Sequence, residues 1–144
     1  MILCDSAAPR GVFELRAWRA GQLVEDYRDE NLIVEGARDA FAALLAGGEG
    51  QSVAEIGFGT DGNGPYPSDS ALTGAYTKAL DGHDFPDTGQ VRFQWSLSTS
   101  EANGTAIREF GLLAADGTLI ARKTRGVIEK GDDISLSGTW TIIF

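Results

Sequence analysis

The chain has 144 residues, a length typical of one domain whose apolar core is large enough to fold without a disulfide or a metal ion. Its 21 acidic residues outnumber 12 basic ones and give a formal net charge of −9, which argues against nucleic-acid binding because that binding depends on a cationic surface. A single cysteine, Cys4, excludes an intrachain disulfide. No apolar run approaches the roughly 18 residues of a membrane span, so we expect none.

The amino end, residues 1–11, lacks a basic segment followed by a long apolar core. We therefore expect no signal peptide and synthesis in the cytoplasm of the host cell. The first predicted element is a strand over residues 11–19, where apolar and polar side chains alternate. A turn at residues 20–22 and a returning strand from Leu23 complete a predicted hairpin.

One helix is predicted, over residues 34–46. Gly47 and Gly48 follow it, and glycine just past a helix end is the usual stop signal. We expect the helix to pack on a sheet through one apolar face. That face is formed by Val34, Ala37, Phe41, Leu44 and Leu45.

A strand at residues 53–60 leads into a long polar loop. The glycines at 57–64 do not form a dinucleotide-binding loop, because prolines and no amphipathic helix follow them. A cation site in residues 60–70 is one interpretation of this loop, because oxygen atoms are supplied there by Asp61, Asn63 and Asp69. The spacing of an EF-hand is absent, however, and the same residue types are the commonest turn formers.

The second half of the chain contains further predicted strands. Residues 81–90, with the only histidine, His83, form a polar stretch predicted to be a loop. Residues 91–97 alternate most clearly and place Trp95 on an apolar face. An Asp-Gly turn predicts a hairpin over residues 107–122, and the final strand, from Ile134, places Trp140 on its apolar face.

These elements amount to one helix and about eight strands, many in antiparallel hairpins. The pattern predicts a mainly β domain, either an antiparallel β-sandwich or a partly open barrel, with one packed α-helix. Within this single domain, residues 1–30 form an N-terminal hairpin region and residues 31–144 form the main β domain.

No motif indicates catalysis, so we expect no enzymatic activity and no cofactor. With one cysteine and one histidine, few nucleophile and base pairs are possible, and no serine stands in a strand–turn–helix elbow. Neighbouring acids such as Asp132 and Asp133 have the residue type of a glycosidase pair. In an acidic chain such pairs are usually solvated surface groups.

Several short motifs occur in a characteristic order from residue 31 onward. The ordered set resembles the tail-fibre collar and related tail or baseplate proteins of tailed bacteriophages. The motifs are NLI at 31–33 before the helix, IGFGTDG from Ile56, PSDSAL from Pro67, FQWSL from Phe93, IREFGLL from Ile107, DGTLIAR from Asp116 and the closing strand.

The resemblance implies a structural protein of the virion, located in the tail or baseplate. It also implies assembly with other tail, baseplate or fibre proteins, as a homo-oligomer for which a trimer is favoured. It brings no catalytic residues. Because tail fibres continue well beyond such a domain, a stand-alone baseplate or fibre-anchoring subunit is the closer expectation.

Three residues are candidates for an interface. Arg108 and Glu109 begin a strand with apolar neighbours, where a charged pair either contacts a neighbouring subunit or forms an ordinary surface ion pair. Trp18 shares the polar side of its strand with Glu14 and Arg16, which favours its exposure. An exposed tryptophan also supports an alternative function, a small β-sandwich module that binds a carbohydrate or a receptor.

Overall fold

A computed structural model of the chain describes residues 9–144, apart from the side chain of Leu32, so Cys4 lies outside the described residues. The described part contains nine strands and one helix. In chain order these are β1 (Arg10–Arg19), β2 (Gln22–Ile33), α1 (Gly36–Leu45), β3 (Val53–Gly59), β4 (Tyr76–Ala79), β5 (Gly82–Asp84), β6 (Gln90–Leu97), β7 (Ala106–Ala114), β8 (Leu119–Glu129) and β9 (Ile134–Ile143).

The strands form two packed antiparallel layers. The first layer has the order β2-β1-β9-β6-β5, and the second has the order β4-β3-β7-β8. Strand β2 belongs to both, because it pairs with β1 over most of its length and its last residues, Leu32 and Ile33, pair with β8. It also crosses the predicted division between residues 30 and 31 without a break.

The core between the layers is rich in aromatic rings. Phe13 lies at its centre, with its ring centroid 4.9 Å from that of Phe110 in the opposite layer and 4.9 Å from that of Trp140. Trp95 stacks on Phe13 at 5.7 Å and meets Phe58 of the second layer. The predicted β-sandwich with one helix is confirmed, as is the core position of Trp95 and Trp140.

The helix prediction is correct in place but wrong in the extent of its buried face. Val34, Ala37 and Ala40 are buried, whereas Leu44 and Leu45 are 38% and 91% exposed. The physical reason is that no part of the protein, among the described residues, extends over the last turn of α1 to cover the predicted apolar face. Periodicity alone does not show where a sheet ends.

The prediction of a loop over residues 81–90 is wrong for its first part. Residues Gly82–Asp84 form β5, which pairs with β6 at the edge of the first layer. A short edge strand with one solvated face needs little apolar alternation, so this sequence gives no strand signal. The exposed His83 packs there against the rings of Phe85 and Phe93.

Candidate functional site

A buried ion pair joins the two strands of the β7–β8 hairpin. Glu109 on β7 is fully buried and Arg122 on β8 is 2% exposed. The Arg122 Nε atom donates to Glu109 Oε1 at 2.8 Å. Such a pair is tolerated in a core only when the remaining polar atoms of both partners are also hydrogen-bonded.

The second carboxylate oxygen of Glu109 holds the loop formed by residues 60–75. Glu109 Oε2 accepts hydrogen bonds from the backbone N–H groups of Asp61 and Thr73, both at 2.9 Å. These donors lie near the two ends of the loop. One buried carboxylate therefore fixes both the exit of the chain from β3 and its return towards β4.

Arg122 holds the middle of the same loop. Its Nη1 atom donates to the carbonyl oxygen of Asn63 at 2.7 Å and to Asp69 Oδ2 at 2.9 Å, and its Nη2 atom donates to the carbonyl oxygen of Asp61 at 3.0 Å. Burial lowers the pKa of Arg122, but hydrogen bonds to Glu109 and Asp69 outweigh that effect and the net pKa is raised. The guanidinium therefore remains charged.

This geometry bears on the cation that the sequence left open in residues 60–70. The cationic group that faces Asp61 and Asp69 is the guanidinium of Arg122, at 3.6 Å and 2.9 Å from their carboxylates. Among residues 9–144, no group of three or more metal-ligating side chains is present.

Glycines make the space in which the loop lies against the outer face of the second layer. Gly57 and Gly111 are paired across β3 and β7, and Leu72 of the loop lies over both. A Cβ atom at Gly57 would come within 2.6 Å of Leu72 Cδ1, and one at Gly59 would come within 2.5 Å of Glu109 Oε2. Side chains at these glycines would lift the loop from the sheet.

We call the group of Asp61, Asp69, Glu109 and Arg122 the loop clamp. It joins residues from four of the sequence motifs described above, at 56–62, 67–72, 107–113 and 116–122. Sequence reasoning selected Glu109 but missed Arg122 as its partner, and missed Asp69 as a second carboxylate bonded to Arg122. The available signal was the small residue, Gly59 or Gly111, on the strand face that the charged side chains occupy.

The three predicted interface residues have different surroundings. Arg108 is exposed at the base of the loop, with its Nη1 atom 3.5 Å from the carbonyl oxygen of Thr60. Glu109 is fully buried and is bonded to Arg122, so it has no surface to offer a partner and forms no surface ion pair with Arg108. Trp18 is half-buried, and its Nε1 atom donates to Ser137 Oγ at 3.3 Å. The interface prediction stays a prediction for Arg108 and Trp18.

A second feature is an exposed group of apolar side chains beside α1, which we call the apolar patch: Phe41, Leu44, Leu45, Phe85 and Phe144. Phe85 is 73% exposed and Phe144 is 62% exposed. The rings of Phe41 and Phe144 are 5.5 Å apart and join the helix to the end of β9. The sequence did not reveal this patch, because it placed Leu44 and Leu45 in the core and Phe85 in a polar loop.

Two adjoining hollows lie in the apolar patch. One, of about 430 Å³, is lined by Phe41, Leu44, Leu45 and Phe144. The other, of about 280 Å³, shares three of these residues and extends to Phe85. A continuous apolar surface of this kind on a folded domain usually marks a site of protein–protein contact.

Within the described part of the chain, no helix has the length and apolar character needed to cross a membrane. No protein-family model matches the chain, and neither a curated protein nor a solved structure is significantly similar to it.

Proposed function

We propose that the protein is a structural component of a tailed phage or phage-like particle, part of the tail or baseplate, which forms or anchors the fibre attachment. The observation that carries the proposal is the apolar patch. Its exposed side chains are of the type that becomes buried when subunits assemble. The ordered motifs that resemble tail and baseplate proteins supply the kind of assembly.

The partner that we propose for the apolar patch is a neighbouring subunit of the particle, in the first place a second copy of this chain. Soluble oligomers are mostly closed homo-oligomers, and a trimer is the form that the resemblance implies. The net charge of −9 does not favour self-association through polar surface, because like charges repel. Burial of Phe85, Leu45 and Phe144 supplies an attraction that opposes this repulsion.

The loop clamp supports the same proposal. It holds the loop of residues 60–75 in one conformation, with Tyr66 59% exposed at its surface. A contact loop that is ordered before binding loses less conformational entropy when a partner arrives. Fixed loops of this kind suit an assembly in which many subunits must adopt the same contact.

The location of the protein can be tested by mass spectrometry of particles pelleted from an induced culture of the source organism. The amount of this chain is measured relative to the major tail-tube protein. A low, fixed copy number per tailed particle is the expected result, and the ratio gives the symmetry. Recovery of the chain only in the soluble fraction would contradict the proposal.

The contact surface can be tested with purified protein by sedimentation. We expect a concentration-dependent oligomer, trimer first, that the Phe85→Ser and Leu45→Ser variants shift towards monomer. The matched control is Leu23→Ser, since Leu23 is an apolar residue 46% exposed on β2 and outside the apolar patch. Equal dissociation in the control, or none in the patch variants, would place the interface elsewhere.

A further inference from the structure

A separate feature lies on the outer face of the first layer, opposite the aromatic core. Because side chains alternate along a strand, Glu14, Arg16 and Trp18 of β1 point away from the core residues Phe13 and Leu15. Their neighbours in β9 and β6 are hydroxyl and amide side chains, among them Ser137, Thr139 and Gln94. The result is a polar sheet face with one tryptophan at its end.

This face contains two hollows. One of about 370 Å³ is lined by Glu14, Arg16, Gln94, Ser137 and Thr139 among others. The other, of about 480 Å³, has one aromatic residue, Trp18, among the described residues that line it. The hydrogen bond from Trp18 Nε1 to Ser137 Oγ joins a residue of the second hollow to a residue of the first. Both volumes are within the about 300–1,000 Å³ of small-molecule sites.

Several charged groups on this face are paired with one another. Glu14 is 3.5 Å from Arg28, and Arg16 is 3.7 Å from Asp26. Arg92 donates from Nε to Asp84 at 3.0 Å, and Gln94 donates to the same carboxylate at 2.7 Å. Asp81 and Asp132, which line the two hollows, make the face acidic on balance. The face therefore offers many hydrogen-bond donors and acceptors but no concentration of positive charge for an anionic ligand.

From these features we propose that the outer face of the first layer, from Trp18 to Gln94, binds a neutral oligosaccharide. A sugar ring has a C–H face, which packs on an aromatic ring, and a rim of hydroxyl groups. The rim pairs with planar carboxylate, guanidinium and amide side chains, since each of these offers two atoms to neighbouring hydroxyls. Trp18 would supply the ring, and Glu14, Arg16 and Gln94 would supply the rim contacts.

The proposal is independent of the apolar patch, which lies against α1 and shares no residue with this face. It also differs from a role in catalysis. Glu14 and Asp81 line the first hollow, but Glu14 is paired with Arg28 and neither residue is buried. A binding function requires no general acid, so the paired state of Glu14 is compatible with it.

Nuclear magnetic resonance with ¹⁵N-labelled full-length protein tests this directly. The probes are maltotriose, cellotriose, mannotriose and chitotriose, each added to about 10 mM, a concentration that detects millimolar affinity. We expect at least one trisaccharide to shift the indole N–H signal of Trp18 and the amides of Ser137 and Thr139. The indole signal of Trp140, which is buried and lines neither hollow, serves as the internal control that does not move.

Variants then locate the site. Trp18→Ala is expected to weaken binding of the responding trisaccharide at least about tenfold, and Gln94→Ala to weaken it severalfold. Tyr66→Ala removes an exposed aromatic ring outside this face and should leave binding unchanged. The amide spectrum of each variant shows whether it is folded, and Gln94→Ala retains a test if Trp18→Ala is not.

Two results would overturn the proposal. One is the absence of shifts on this face with all four trisaccharides. The other is binding that survives both Trp18→Ala and Gln94→Ala in folded protein. If the signals of this face instead change with protein concentration and without sugar, the occupant is a second copy of the chain and not a glycan.

Discussion

Gly59 and Glu109 face each other across β3 and β7, and the carboxylate of Glu109 occupies the space that a side chain at Gly59 would take. A small residue on one strand thus makes room for a buried charge on the next. That charge in turn holds the loop of residues 60–75, which begins directly after Gly59. The relationship gives the first prediction.

We expect Gly59→Ala to lower the free energy of unfolding by about 1–3 kcal/mol, because the new Cβ atom displaces the Glu109 carboxylate from the loop N–H groups. Urea denaturation measures the change. Gly126→Ala is the matched control, since a Cβ atom there meets nothing within 4 Å. Equal stability of the two variants would mean that Glu109 adapts without losing its bonds.

The loop clamp should behave as a unit. Removing either charge, by Glu109→Gln or Arg122→Met, leaves the other buried without its ionic partner, which typically costs about 3–5 kcal/mol. The double variant should cost less than the sum of the two. Amide hydrogen exchange should increase in residues 60–75 in both single variants.

The surface pair of Glu14 and Arg28 provides the comparison for that experiment. Glu14→Gln should change stability by no more than about 1 kcal/mol, because exposed ion pairs contribute little. Additive effects of Glu109→Gln and Arg122→Met, or an unchanged exchange rate in residues 60–75, would show that the loop is held by other contacts.

A third prediction concerns the loss of stability at acidic pH. A hydrogen bond from Lys78, together with one from the backbone N–H of Ser98, lowers the pKa of Glu101 from its ordinary value of 4.5 to about 2. A carboxyl group whose pKa is lowered by folding stabilises the protein above its unfolded pKa, and the contribution is lost as the pH falls towards the folded pKa. The loss therefore falls between about pH 4.5 and 2.

Thermal unfolding of the wild type and of Glu101→Gln over that pH range measures this contribution. The two proteins should differ most near neutral pH and converge as the pH approaches 2. Asp29 and Asp84 also have lowered pKa values, caused first by hydrogen bonds from Lys123 and Arg92, so both proteins retain some acid sensitivity. A constant difference at all pH values would contradict the assignment to Glu101.

A fourth prediction compares the replacement of phenylalanine by alanine at a buried position and at an exposed one. Phe13→Ala should cost about 3–5 kcal/mol, because it leaves a cavity among four aromatic neighbours in the centre of the sandwich. Phe85→Ala should change the free energy of unfolding of the monomer by no more than about 0.5 kcal/mol, since the ring is 73% exposed. Similar losses for both would mean that Phe85 is covered within a single subunit.

Much of the sandwich follows from alternation in the sequence. The strands that contain Phe13, Trp95 and Trp140 have one apolar and one polar face, so their place and their inward residues were predicted correctly. The β7–β8 hairpin was predicted from the Asp116-Gly117 turn for the same local reason. Local patterns succeed where one face of a strand is buried and the other is solvated.

The loop clamp lies beyond such reasoning. Arg122 donates hydrogen bonds to Asn63 and to Asp61, which precede it in the chain by 59 and 61 positions respectively. Nothing local distinguishes a buried arginine from a solvated one, because its burial depends on which loop covers it. The apolar patch was not predicted for the opposite reason. Leu45 has the spacing of a core residue, but it lies at the end of the helix.

The pairing of β1 with β9 also determines how the domain responds to force. Arg10 and Ile143 are directly opposite in this antiparallel pair, so the two strands can be gripped at the same end. Tension between these residues opens the ladder one hydrogen-bonded pair at a time instead of shearing all pairs together. Attachments made at these two strand ends would therefore separate at low force.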